Sequence, residues 1–185
     1  MEPTAGQLQA VLEDFVKMDV AGLIIDLRNN PGGLLDSAVD ICSFFLPPGQ
    51  LVVSVEGREN KKIERSHEDG FKFPADKPVL LLINGGSASA AEITAGCLSD
   101  TGRAIHEHGI EPDIEDKLSP QDIIAIIKNE GDMDKLLAID KQLKRAVEVL
   151  NSYLAFDSGK GTNFKNLRSQ AVPAKAGVLP APPLI

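Results

Sequence analysis

Residues 77–96 read KPVLLLINGGSASAAEITAG. Val79 to Ile83 form an unbroken aliphatic run, closed by Pro78 on one side and by Asn84 and a glycine pair on the other. A run of that length is short for a helix and suits a strand buried on both faces. The residues after it predict a helix from about Ala90 to Ser99, so strand and helix meet at a corner made of glycine, serine and alanine. Ser89 sits where that helix begins. N–H groups at a helix start are unpaired, and a partial positive charge gathers there. A serine so placed can attack a carbonyl while its own N–H and the next one stabilise the oxyanion. The small neighbours Gly85, Gly86, Ala88, Ala90 and Ala91 let a substrate backbone approach. The same residues also spell a capping box, with Ser89 as the cap and Glu92 reaching back. Local chemistry leaves both readings open.

A second corner has the same build. GLIIDLRNNPGG (22–33) leaves an apolar strand over 21–28 and opens a helix marked by Leu34, Ala38, Ile41 and Phe45, stopped by Pro47 and Pro48. Gly32 and Gly33 can take conformations closed to other residues and present N–H groups to a ligand. Two such corners at the ends of strands of one sheet fall where α/β folds bind ligands.

Working outward, Leu8, Val11, Leu12 and Phe15 predict an amphipathic helix over 5–18, and 50–56 and 61–65 predict strands paired across Gly57. Alternating strands and helices imply an α/β fold with a mostly parallel sheet. Ser119 before Pro120 marks a helix start, followed by Ile123, Ile124, Ile126 and Ile127. Asp140 marks another, with Leu143, Val147, Leu150 and Leu154 on one side. Past Asp157 proline and glycine are dense and periodicity vanishes, which predicts a disordered tail over 158–185. The expected division is a core over 1–116, a helical segment over 117–157 and that tail.

The 185 residues suffice for one domain with a real core, and their 43 % hydrophobic and 25 % charged content is that of a globular protein. The net charge of -8 argues against a nucleic-acid partner bound through a basic surface. No apolar run is long enough to span a bilayer, and the first fifteen residues lack the basic start and apolar centre of a signal peptide. Cys42 and Cys97 fall at apolar helical positions and match no metal-ligand spacing, which suits buried thiols rather than a disulfide. His67, His106 and His108 lie near no motif that would make one a general base. Asp100, eleven residues after Ser89, lies about 16 Å along the helix, too far for contact, and suits an ion pair with Arg103.

Taken in order, GLIIDLRNNPGG (22–33), KPVLLLINGGSASAAEITAGCLSDTGRA (77–104) and HGIEPDI (108–114) resemble the C-terminal processing, or tail-specific, serine proteases. The resemblance covers about residues 5–116, and DKQLKRAVEVL (140–150) suits the end of such proteins. It implies a crotonase-like or ClpP-like core and endoproteolysis near unstructured, often apolar C-termini of protein or peptide substrates. It implies no cofactor and no metal, and an exported location in periplasm, cell envelope or lumen. It makes Ser89 the nucleophile, the backbone N–H groups of Gly32, Gly33 and Ala90 the oxyanion donors, and Glu92 and Asp100 supporting acids.

Two features depart from that pattern. The family carries a PDZ domain in or before this region, and none is read here. Its general base is a lysine in a Gly-Lys-Gly segment after the serine, yet no lysine occurs between Ser89 and Lys117. Lys117 follows Glu115 and Asp116, which suit an ion pair rather than a base, and the Gly-Lys-Gly at Lys160 lies in the tail. A serine hydroxyl without an adjacent base is a poor nucleophile. The alternatives are therefore a pseudoprotease that binds peptides without cleaving them and, fitting less well, a crotonase-like enzyme acting on thioesters.

Overall fold

The computed structural model describes residues 3–56, 61–99, 110–129 and 131–157. Its elements in chain order are α1 (Pro3–Lys17), β1 (Leu23–Asp26), α2 (Leu35–Ser43), β2 (Leu51–Glu56), β3 (Lys61–Arg65), β4 (Val79–Leu82), α3 (Ala90–Leu98), α4 (Pro120–Lys128), α5 (Met133–Ile139) and α6 (Lys141–Asp157). Two compact units divide them: 1–21, 30–77 and 87–110 form the first, and 22–29, 78–86 and 111–185 the second. Helices and strands mix as expected. The sheet is less parallel than expected: among the described residues one pair is parallel and the other antiparallel.

In the first unit, α2 packs against α1, α3, β2 and β3. Its core is Val39, Cys42, Leu46 and Val52, flanked by Val53, Ile93, Cys97 and Leu98. Phe44 meets Phe71 edge-on at 5.8 Å, and Phe45 meets Phe73 at 5.7 Å, so aromatics join the expected aliphatic core. The apolar stripe of α2 is rotated from its expected position. Ala38, Val39 and Cys42 are buried, whereas Leu34, expected inside, is 61 % exposed. The reason is the helix start: Leu34 is the extended residue before α2 and does not share its periodicity. On α1, Leu12 is fully buried while Val11 is left 47 % exposed. β2 and β3 pair antiparallel, as their sequences imply.

In the second unit, β1 and β4 lie parallel, with Leu23 opposite Val79 and Asp26 opposite Leu82. Both strands are shorter than their apolar runs, and β4 is half-buried throughout rather than fully buried. The physical reason is that each has one strand neighbour among the described residues. Helix α6 packs on β4, and Leu150 lies so close to Gly22 that a side chain there would meet its Cδ1 at 2.7 Å. Helix α5 escaped the sequence reading. It is barely two turns long, and its cap, Asp132, which accepts from Lys135 N at 3.1 Å, was the one local signal. Among the described residues no helix is long and apolar enough to cross a membrane.

Both expected caps of the second unit are in place. Asp140 Oδ1 accepts from Leu143 N at 3.0 Å at the start of α6. Ser119 Oγ accepts from Asp122 N at 3.2 Å, and Asp122 Oδ2 accepts from Ser119 N at 2.9 Å. That Ser119 N–H bond, with Lys141 Nζ at 3.0 Å, lowers the Asp122 pKa to about 2. A carboxylate with a lowered folded pKa adds stability above its unfolded value of 3.8, lost as pH falls towards 2. An NMR titration is expected to place Asp122 near 2, rising in Lys141→Ala; a midpoint near 4 would contradict the capping geometry.

Candidate active site

The corner at Ser89 belongs to the first unit, and so does the glycine turn at Gly32. The structure brings them into contact. Ala88 N donates to Asn30 O at 2.9 Å. A Cβ on Gly32 would lie 2.5 Å from Ala88 O, 2.8 Å from Ala90 N and 2.8 Å from Ser89 Cβ. Gly32 has φ +90, so both its shape and its conformation exclude other residues. One residue on, Gly33 has nothing within 4 Å of where its Cβ would be.

Ser89 has φ 52 and ψ -119, a conformation non-glycine residues rarely take. Such strain costs roughly 1–3 kcal/mol, and it sets an exposed serine on a sharp turn into α3. The small residues around it make the turn possible: Ala90, Ala91, Thr94 and Ala95 are the buried face of α3, which packs on α2. Thr94 Oγ1 donates a hydrogen bond to Ala90 O at 3.0 Å and is thereby satisfied.

The capping box and the exposed serine coexist. Glu92 Oε2 accepts from Ser89 N at 2.9 Å. The Ser89 hydroxyl has the box arrangement over the N3 backbone but makes no side-chain cap hydrogen bond. The box is therefore closed from the Glu92 side and leaves Ser89 Oγ available.

The N–H groups sort into two kinds. Gly32 N donates to Asn30 Oδ1 at 2.8 Å, and Ser89 N donates to Glu92, so both are committed. Gly33 N and Ala90 N have no acceptor among the described residues. Ala90 is the first residue of α3, where the helix concentrates partial positive charge. Asn30 is a residue that the sequence reading missed. It holds the turn twice, through its carbonyl to Ala88 and its side chain to Gly32, and an asparagine two residues before a glycine is a recognisable turn former.

The second unit holds the residues just before each corner. Asn29, at φ 65, donates its N–H to Asn84 Oδ1 at 2.9 Å, and Asn84 Nδ2 donates to Asn29 Oδ1 at 2.6 Å. Asn84 Oδ1 also accepts from Gly86 N at 2.9 Å. Beside them, Arg28 reaches both oxygens of Asp140, at 3.1 and 2.7 Å, and both oxygens of Asp26. Burial works against the Arg28 charge, but Asp26 and Asp140 outweigh it and raise its pKa. Gln142 extends the network, accepting from Arg28 Nη1 at 2.9 Å and donating to Asp116 O at 2.6 Å.

The remaining candidates lie elsewhere. Lys117 Nζ sits 3.3 Å from Glu115, the ion pair its neighbours imply. His67 Nε2 pairs with Asp40 Oδ1 at 2.7 Å. Asp100, Arg103, His106, His108 and Lys160 lie outside the described residues, as does the 158–185 tail.

The sequence profile of peptidase family S41 matches residues 1–106. The chain is 43% identical over 107 residues to the "Carboxy-terminal-processing protease" of Bartonella bacilliformis, covering 56% of this chain and 24% of that one. It is 39% identical over 102 residues to the "Probable CtpA-like serine protease" of a Staphylococcus aureus strain, covering 55% of this chain and 20% of that one. The chain thus spans about a quarter or less of the length of these curated relatives. Among solved structures it is similar to a photosystem II D1 C-terminal processing protease, with 31% identity, TM-score 0.48, and coverage of 55% of this chain and 26% of that one. A lipoprotein from Streptococcus agalactiae follows at 21% identity and TM-score 0.39, covering 54% and 38%. Neither superposition is close enough to carry a structural argument.

Proposed function

Because the chain belongs to peptidase family S41, we propose that it is the catalytic-core portion of a carboxy-terminal processing serine endopeptidase, with Ser89 as nucleophile. The observation that carries this reading is the exposed Ser89 at φ 52, set against the close-packed Gly32 turn at the start of α3. Ser89 Oγ attacks the scissile carbonyl, forming a C–O bond and an oxyanion. Ala90 N–H and Gly33 N–H, both without an acceptor among the described residues, are the donors to that charge. Gly32 acts through its close approach, since its own N–H is held by Asn30. Glu92 holds the Ser89 backbone and leaves the hydroxyl to react. Asp100 is the second supporting acid of this reading. The substrates are proteins with unstructured, apolar C-termini, met after export to the cell envelope or a lumen. The core is of the crotonase or ClpP kind.

The proton on Ser89 Oγ needs an acceptor. A lysine serves that purpose in the reading above, and residues 90–116 contain none. General-base help is worth about 10²–10⁴-fold, so this chain alone is expected to cleave slowly. The test is hydrolysis of a peptide with an apolar, unstructured C-terminus. Slow cleavage abolished in Ser89→Ala is expected, and equal cleavage by both proteins overturns the proposal.

The missing lysine run favours a second reading, a pseudoprotease that holds apolar-tailed peptides without turnover. Calorimetric binding with no detectable Ser89-dependent product supports it, and absence of both binding and cleavage removes both readings.

A further inference from the structure

Helices α2 and α3 begin at the two contacting corners, and each ends one residue past a cysteine. Cys42 is the next-to-last residue of α2 and Cys97 the next-to-last of α3. The two helices pack together along this course, with Gly32 against Ser89 and Ala90 at their starts. At their ends, Cys42 has no solvent exposure and lies in the core of Val39, Leu46 and Val52, and Cys97 packs against the same cluster. Both thiols are free, and Cys97 is partly open to solvent, with Sγ donating to Val52 O at 3.0 Å. The thiols also sense one another. Cys97 beside it, and then burial, push the Cys42 pKa up, while the Cys42 thiol favours the Cys97 thiolate.

We propose that Cys42 and Cys97 form a reversible intramolecular disulfide that ties α2 to α3, with Cys97 the entry point for a small-molecule disulfide oxidant. The Cys97 thiolate attacks one sulfur of the oxidant, breaking its S–S bond and releasing one small thiolate. Cys42 then gives its proton to that thiolate and, as a thiolate, attacks the Cys97 sulfur; the second small thiolate leaves as the protein S–S bond forms and takes up from water the proton that Cys97 had released. Two protein thiols are oxidised and one small disulfide is reduced to two thiols, so electrons and hydrogens balance. The order follows from access, since a buried Cys42 can meet a mixed disulfide on Cys97 but not a free oxidant. An oxidising envelope or lumen would favour the bridged form. The inference does not depend on Ser89 being a nucleophile. Its consequence is local: the bridge pins together the far ends of the two helices that follow the Gly33 and Ser89 corners.

The experiment uses the full chain, reduced and then incubated with glutathione disulfide. Intact mass spectrometry is expected to show the loss of two hydrogens in the monomer, and peptide mapping to join the Cys42 and Cys97 peptides. The bridged form is expected to melt at a higher temperature than the reduced form, because the cross-link restricts the unfolded chain. Cys97→Ser should lose both the cross-link and the melting shift. The proposal is overturned if both thiols remain alkylatable after denaturation, if the product stops at glutathione on Cys97, or if the only disulfide joins two chains.

Discussion

Gly32→Ala is expected to lower the stability of the protein by about 2–5 kcal/mol, with a matching fall in the urea midpoint. Two effects add. The φ of +90 is a conformation that alanine tolerates poorly. The new Cβ would also sit 2.5 Å from Ala88 O and 2.8 Å from Ala90 N, and these are backbone atoms that no rotamer change can clear. Relief requires the Ser89 corner to move away from the turn, so Ser89-dependent cleavage should fall with stability. Gly33→Ala is the control. Nothing lies within 4 Å of its Cβ position, and a change within about 0.5 kcal/mol is expected. Circular dichroism is the suitable probe, since the chain has no tryptophan. Equal urea midpoints for Gly32→Ala and wild type would show that the two corners do not touch.

Asp140→Ala is the second large effect, expected at about 3–5 kcal/mol. Asp140 is 1% exposed and meets Arg28, itself 11% exposed, through two hydrogen bonds. Removing the acid leaves a guanidinium with Asp26 and Gln142 but without its buried counter-charge. It also removes the acceptor for Leu143 N at the start of α6, a cap worth about 1 kcal/mol. Asp140→Asn separates the two contributions, because the amide oxygen can still cap α6 while the charge is lost. A drop in melting temperature for Asp140→Ala well beyond that of Asp140→Asn identifies the cap as the larger part. No drop in either variant would refute the buried pair.

The contrast between these residues shows where sequence reasoning stops. Glu92, Ser119 and Asp140 act on N–H groups three residues away, so their capping roles are readable from spacing alone. Gly32 was recognisable as a turn residue, but nothing local says that Ala88 to Ala90 lie against it. That contact joins residues more than fifty positions apart. The Arg28–Asp140 pair was invisible for the same reason, because its partners are separated by 112 residues. Helix α2 carries the smaller lesson: its apolar stripe was read one register off, because Leu34 looked periodic but stands outside the helix.

By itself the sequence determined every element type but that of α5, the caps of α4 and α6, the two glycine corners and the family, since each rests on short-range spacing or on motif order. Only the tertiary structure decided which N–H groups are committed and which are open. Among the described residues it left the Gly33 and Ala90 N–H groups without an acceptor, while Asn30 and Glu92 hold Gly32 and Ser89. It also set Cys42 and Cys97 in one core and gave Ser89 its strained φ of 52. Hydrogen-bond commitment depends on which acceptor lies nearest in space, and that order is fixed by packing rather than by position along the chain.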